Sequence, residues 1–169
     1  MAIKAYKLTA NLSLWFLLFY TNFALADEIP LKVWVNEAIV STYTYNYQNF
    51  IDRQREIAVY FTSNGWISYS KALNESKIQD IVQKNKYFVS AVAIAPPELK
   101  SLNANNWQAT MPLLVVYKNP QFQQQQTLSV TIQFTKAPQG QGVRGYAITS
   151  LQSAIKKPAC SCPINQFEK

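Results

Sequence analysis

The apolar residues of this chain change their spacing at Tyr87, and that change limits the folds open to it. From Lys32 to Val82 they return every third or fourth position, the period of a helix with one buried face. From Tyr87 onward they return every second position, the period of a strand with one buried face. Tyr87 to Ala95 is rich in valine, alanine and aromatic residues and stops at Pro96 and Pro97. From Trp107 to Lys118, the residues Trp107, Ala109, Met111, Leu113, Val115 and Tyr117 alternate with Gln108, Thr110, Pro112, Leu114, Val116 and Lys118. Pro112 has no N–H to give to a ladder, so this strand demands a bulge or an edge position there. Thr127 to Lys136 turns Leu128, Val130, Ile132 and Phe134 inward and Ser129, Thr131, Gln133 and Thr135 outward. The loop before it, Asn119 to Gln126, carries Gln123 to Gln126 as a polar turn. A last strand is expected from Gly145 to about Ile155, after a loop punctuated by Pro138, Gly140 and Gly142.

In the helical half, Lys32 to about Thr42 places Trp34, Ala38 and Ser41 on one stripe and Val35 and Ile39 on the next. After the aromatic segment Tyr43, Tyr45 and Tyr47, Asn49 is placed to cap a second helix. Phe50, Ile57, Ala58 and Phe61 share its buried face, and Asp52, Arg53, Arg55 and Glu56 stay wet. Thr62 is expected to cap a third helix with Trp66, Tyr69 and Leu73 on one side. Ser76 with Gln79 three residues on has capping-box spacing and opens a short fourth helix that buries Ile78, Ile81 and Val82. Helices followed by an antiparallel meander make an α+β fold, with the helices packed on the concave face of a curved sheet.

The first twenty-six residues read as an export signal: Lys4 and Lys7, a charge-free run from Leu8 to Ala26, and the ending Ala24, Leu25 and Ala26 before Asp27. The strongest apolar part, Leu12 to Phe23, is shorter than the roughly 20 residues of a comfortable membrane span, which favours cleavage after Ala26 over a retained anchor. Either way the remainder lies outside the cytoplasm, as a periplasmic domain that is free or tethered to the inner membrane. It amounts to 143 residues, enough for one domain with its own core. Residues 27–155 form that domain and 156–169 a tail carrying Cys160 and Cys162. In an oxidising compartment this Cys-x-Cys pair is free to bridge locally, bond another chain or stay reduced, although the ring of a local bridge is very small.

Chemistry is scarce. The chain has no histidine, and none of its nine carboxylates falls within an expected strand, leaving Glu37, Asp52 or Glu56 as the available general bases. Asp52 and Glu56 stand beside Arg53 and Arg55 and read more simply as an exposed ion-pair surface. No serine lies in a Gly-x-Ser-x-Gly turn, and the only glycines, Gly65, Gly140, Gly142 and Gly145, make no phosphate loop. The reading is therefore of a non-enzymatic protein without cofactor or metal. Net charge of +7 falls to +5 without the first twenty-six residues and is not gathered into a phosphate track, so nucleic acid is not an expected partner.

The run Tyr60-Phe61-Thr62-Ser63-Asn64-Gly65-Trp66, then Ala72-Leu73, then Met111-Pro112-Leu113-Leu114-Val115-Val116-Tyr117, resembles the DotI/IcmL family of type IVB secretion proteins. Trp34 with Ala38, Val92-Ala93, Val130-Thr131-Ile132 and Gly140-Gln141-Gly142 follow in matching order, so the likeness spans about Val33 to Ser153. It implies a nuclear transport factor 2-like cone and a scaffold role in the Dot/Icm effector-translocating apparatus. The implied partners are other apparatus subunits, with a homo-oligomer and proximity to the inner membrane also open. Family members carry a cytoplasmic stretch and a membrane helix ahead of the domain, whereas only Met1 to Asn11 precede the apolar run here, so the chain is read as an exported paralogue. Solvent-facing Tyr43, Tyr45 and Tyr47 are the candidate interface. The competing reading is a periplasmic small-molecule or lipid-binding module with Trp66, Tyr69, Phe88 and Trp107 lining a cavity. Against it stands the expectation that these aromatics fill the cone as core and that no polar groups converge there.

Overall fold

The computed structural model describes residues 28–163, so the expected cleavage residues Ala24, Ala26 and Asp27 lie outside the described residues. Four helices, α1 (Glu28–Thr42), α2 (Phe50–Ala58), α3 (Ser63–Glu75) and α4 (Ile78–Asn85), pack on a sheet of six strands. The strands are β1 (Tyr45–Asn46), β2 (Phe88–Ala93), β3 (Glu98–Asn103), β4 (Asn106–Lys118), β5 (Phe122–Lys136) and β6 (Tyr146–Pro163). The order is β1-β2-β4-β5-β6, antiparallel throughout, with β3 also on β4. This is the expected α+β cone: helices held on the concave side of a curled antiparallel sheet. Among the described residues no helix is long and apolar enough to cross a membrane.

The core follows the alternation. Ala109, Met111, Leu113 and Val115 of β4, with Val130, Ile132 and Phe134 of β5, are wholly buried, and α1 covers them with Trp34, Val35, Ala38 and Ile39. Trp34 lies with its ring centroid 5.0 Å from Phe134 and 5.7 Å from Tyr146, in tilted contacts that join the helix layer to β5 and β6. Register shifts between Gln125 and Leu128 and between Gln133 and Phe134 break the β5–β6 ladder, and such bulges bend and twist a strand pair.

Pro112 sits at a gap. On one flank of β4, β2 pairs as far as Leu113 and β3 takes over at Thr110, so Pro112 faces the kink at 94–97. Its carbonyl accepts a hydrogen bond from the Ile94 N–H (2.9 Å), so its nitrogen points to that same side and no β5 bond is lost. The expected edge position is thus a local edge inside a central strand.

Several boundaries differ from expectation. α1 begins at Glu28, four residues before Lys32, because Pro30 is tolerated in a first helical turn and Leu31 is buried. α2 ends at Ala58, and Phe61 instead forms a bridge with Ile148. Asn49 makes no side-chain cap on α2; its Oδ1 accepts from the Asn46 N–H (2.7 Å) while Asn46 Oδ1 accepts from the Asn49 N–H (3.0 Å). Ser76 does not open α4: its hydroxyl donates to the Leu73 carbonyl and accepts from the Ile78 N–H, and Lys77 precedes the helix in the left-handed region. Of the three residues assigned to the buried side of α4, Val82 is buried, Ile78 half-buried and Ile81 exposed. β3 was not expected, and Gln123 to Gln126 form strand rather than a polar turn, with the bend confined to 119–121. β6 runs on to Pro163 instead of stopping near Ile155, so Cys160 and Cys162 lie in the sheet opposite Gln125 and Gln123.

One contact ties the helices to β6. Thr62 donates its N–H to the Ile148 carbonyl (2.9 Å), and Ile148 donates its own to the Tyr60 carbonyl (2.7 Å). Thr62 Oγ1 caps α3 by accepting from the Gly65 N–H (3.1 Å), as expected. Gly65 is buried there: an added Cβ would lie 2.4 Å from the Ile148 carbonyl oxygen. In an unconstrained helix Gly→Ala stabilises by roughly 0.5–1 kcal/mol. Here Gly65→Ala is expected to destabilise by about 1–3 kcal/mol through overpacking, read from urea midpoints. An unchanged or raised midpoint would contradict the close approach.

Candidate functional site

A groove of about 720 Å³ lies between α3 and the concave side of β4, β5 and β6. Four tyrosines from four different segments line it. Tyr43 follows the last residue of α1, where Thr42 Oγ1 turns back to the Ala38 carbonyl (2.8 Å). Tyr45 is held by the pairing of β1 with Val89 and packs edge-on against Phe50 at 5.1 Å. Tyr69 projects from α3 and stacks on Phe61 at 5.0 Å, and Tyr117 meets Tyr87 edge-on near the end of β4. The opposite wall is Leu151, Ser153 and Ile155 of β6.

Among the described residues no charged side chain lines the groove. Burial pushes the phenols of Tyr45 and Tyr69 well above the ordinary tyrosine range, and that of Tyr117 up to about 12. Neighbouring phenols act in the same direction: Tyr45 feels Tyr117, Tyr69 and Tyr43. Burial also raises Tyr43, opposed by a hydrogen bond with Ser153. The four hydroxyls therefore converge, stay neutral at physiological pH and remain hydrogen-bond donors. This corrects the expectation that no polar groups converge in the cone.

The expected interface tyrosines separate. Tyr45 is only 7% exposed and belongs to the core, so it is not a solvent-facing contact residue. Tyr43 is half-buried in the groove, and Tyr47 is half-buried with its ring edge-on to Phe88 at 5.6 Å. Of the aromatics proposed to line a cavity, Tyr69 lines this groove and Phe88 lines a second, more open one of about 470 Å³ beside β1 and β2. Trp66 packs on Phe61, Trp107 stacks on Phe134 at 5.5 Å, and Phe88 is half exposed. Cys160 is an exposed free thiol, and Cys162 pairs through its backbone with Gln123. Among the described residues no three His, Cys, Asp or Glu gather as metal ligands.

The carboxylates weighed as bases are engaged on the surface. Asp52 pairs with Arg55 at 3.0 Å and Glu56 with Arg53, exposed pairs of the kind worth about 0–1 kcal/mol. Glu37 accepts from the Tyr60 hydroxyl (2.6 Å) on one oxygen and from Arg144 Nη2 (2.5 Å) on the other. Arg144 reaches it from a tight turn in which Val143 and Tyr146 exchange both backbone hydrogen bonds. Arg144 and Gly145 at its centre have φ of 51° and 79°, the left-handed pair that a type I′ turn requires. This cluster staples α1 to the α2–α3 connection and to the β5–β6 loop.

The Tyr60 hydrogen bond, with the nearby Arg144 charge, holds the Glu37 carboxyl below its ordinary 4.5 against the opposing effect of burial. A carboxylate with a lowered folded pKa stabilises above its unfolded value, and that contribution fades as pH falls through the folded one. Wild type should therefore exceed Glu37→Gln in urea midpoint at neutral pH, with the gap narrowing below about pH 4.5. A gap independent of pH would show that the staple does not involve the carboxylate charge.

A family profile described as a type IVb secretion system inner-membrane complex component, DotI/IcmL, matches residues 23–154. The crystal structure of an IcmL-like type IV secretion system protein from Legionella pneumophila is 57% identical, covering 79% of this chain and 96% of that one, with a TM-score of 0.75. The periplasmic domain of DotI is 31% identical over 73% of this chain and 92% of that one, with a TM-score of 0.68. CagV, a VirB8 homologue from Helicobacter pylori, shares the fold at 14% identity, with 74% and 96% coverage and a TM-score of 0.60. No curated protein matches the chain significantly.

Proposed function

Since the chain belongs to the DotI/IcmL family of type IVb secretion system components, we propose that it serves as a periplasmic, non-catalytic part of an effector-translocating apparatus and acts through protein contacts. The observation that carries this reading is that the whole cone, 79% of the chain, superposes on 96% of a relative sharing 57% of its residues. Two features support the absence of catalysis. The carboxylates best placed to act as bases are tied to arginines, and among the described residues the groove is lined only by neutral side chains. A weak base already bound on both oxygens, such as Glu37, is suited to holding segments together and not to taking protons from a substrate.

The same reading places the domain outside the cytoplasm, delivered by the first twenty-six residues and released by cleavage between Ala26 and Asp27. Disulfide exchange at Cys160 and Cys162 with another chain, and a homo-oligomer, are compatible with that compartment. Crosslinking in intact cells, followed by purification of the tagged full-length chain, is expected to recover other secretion subunits, and deletion is expected to lower effector transfer sharply. Recovery of none of them, with transfer intact, would overturn the assignment. N-terminal sequencing of the fractionated protein is expected to begin at Asp27; an intact Met1 in the membrane fraction would replace the free species with an anchored one.

A further inference from the structure

Strand β6 is the outer strand of the sheet, and its free side changes character along its length. At Ile148 that side is occupied by Tyr60 and Thr62. Beyond Ser150, among the described residues, no strand pairs with it, although β5 continues to pair its inner side. Gln152 to Pro158 are exposed. An unpaired edge offers its N–H and C=O groups as a template for an added strand. Lys156, Lys157 and Pro158, together with the register shifts opposite them, blunt the far portion, as charges, prolines and bulges do. The usable template is therefore Ser150 to Ile155.

This stretch is also one wall of the tyrosine groove, through Leu151, Ser153 and Ile155. A strand added along the edge sends alternate side chains toward the concave side. Waiting there is a pocket lined, among the described residues, by uncharged side chains, with the phenols of Tyr45 and Tyr117 among them. Charge narrows the occupant further. From Leu99 to Phe167 the sequence has no aspartate or glutamate, whereas Lys100, Lys118, Lys136, Arg144, Lys156 and Lys157 fall within it. Lys156 and Lys157 border the template directly. A second copy pairing through its own β6 brings the same lysines and no carboxylate to that edge, so the complementary occupant is an acidic segment of a different protein.

We propose that Ser150 to Ile155 is a docking edge for an extended segment of another protein, which joins the sheet as a strand beside β6. The segment sets a bulky apolar side chain into the tyrosine groove and places acidic residues against Lys156 and Lys157. Main-chain bonds supply affinity in such strand addition, and the side-chain pocket supplies choice. The inference rests on the protein-contact role above and names the surface and the partner chemistry.

Selection of random displayed peptides on the full-length chain tests it without presupposing a sequence. The expected outcome is a consensus with a large apolar or aromatic residue flanked by aspartate or glutamate. Ile155→Arg, at an exposed position on the groove rim, should weaken the selected peptides by at least about tenfold, and Ile67→Arg, exposed on α3 outside the groove lining, should leave them unaffected. Joint Lys156→Glu and Lys157→Glu should turn the preference from acidic to basic flanks. No consensus, a basic one, binding indifferent to Ile155→Arg, or pairing of the chain with itself along β6 would overturn the proposal. If crosslinking still recovered secretion subunits in that event, the docking edge alone would fall and the family role would stand.

Discussion

The seating of the Tyr60–Gly65 segment on Ile148 decides the shape of the rest. Two backbone hydrogen bonds, a threonine cap and a glycine with no room for a side chain bring the start of α3 against the outer strand of the sheet. Any residue but glycine at position 65 would push α3 away from β6, and with it the wall that carries Tyr69. The segment also positions Tyr60 for Glu37, so that α1, the α2–α3 connection and the loop holding Arg144 share one polar staple. A stretch that in the sequence is only a recognisable pattern is thus a joint between helices and sheet, and each residue in it has a separate mechanical reason.

That joint produces the asymmetry on which the functional reading depends. β6 is closed at its start and, among the described residues, open beyond Ser150, and the open part lines a groove whose opposite walls are contributed by α1, β1, α3 and β4. Neutral, buried phenols make the groove hospitable to an apolar group with some polar character and unsuited to proton transfer. The docking edge proposed on β6 agrees with membership of a secretion-apparatus family.

Much of the fold was legible because the physics acting on it is local. The alternation of Ala109, Met111, Leu113 and Val115 predicted their complete burial, Thr62 was identifiable as a cap, and Trp34 with Ala38 marked the covered face of α1. β3 was missed because one side of Glu98–Asn103 is not buried: nearly every residue is exposed, so no period appears. The glutamine run was read as a turn for the related reason that its strand identity comes from full pairing with β4 and not from apolar residues. Ser76 had the spacing of a capping box, but its hydroxyl was taken by the Leu73 carbonyl at the end of the preceding helix. The sequence marked Tyr69 as a cavity residue and Tyr43 and Tyr45 as contact residues but not the groove they share with Tyr117, since positions 43, 45, 69 and 117 are brought together by tertiary packing alone.

Residue-resolved amide hydrogen exchange on the full-length chain tests the central claim most directly, that β6 is clamped at one end and free beyond it. The account predicts that the amides of Thr62 and Ile148 exchange slowly, near the limit set by global unfolding, while between Ser150 and Ile155 only the amides turned toward β5 are protected and their neighbours exchange fast. Exchange at Thr62 and Ile148 as fast as in the glycine loop around Gly140, or uniform protection along Ser150 to Ile155, would contradict it.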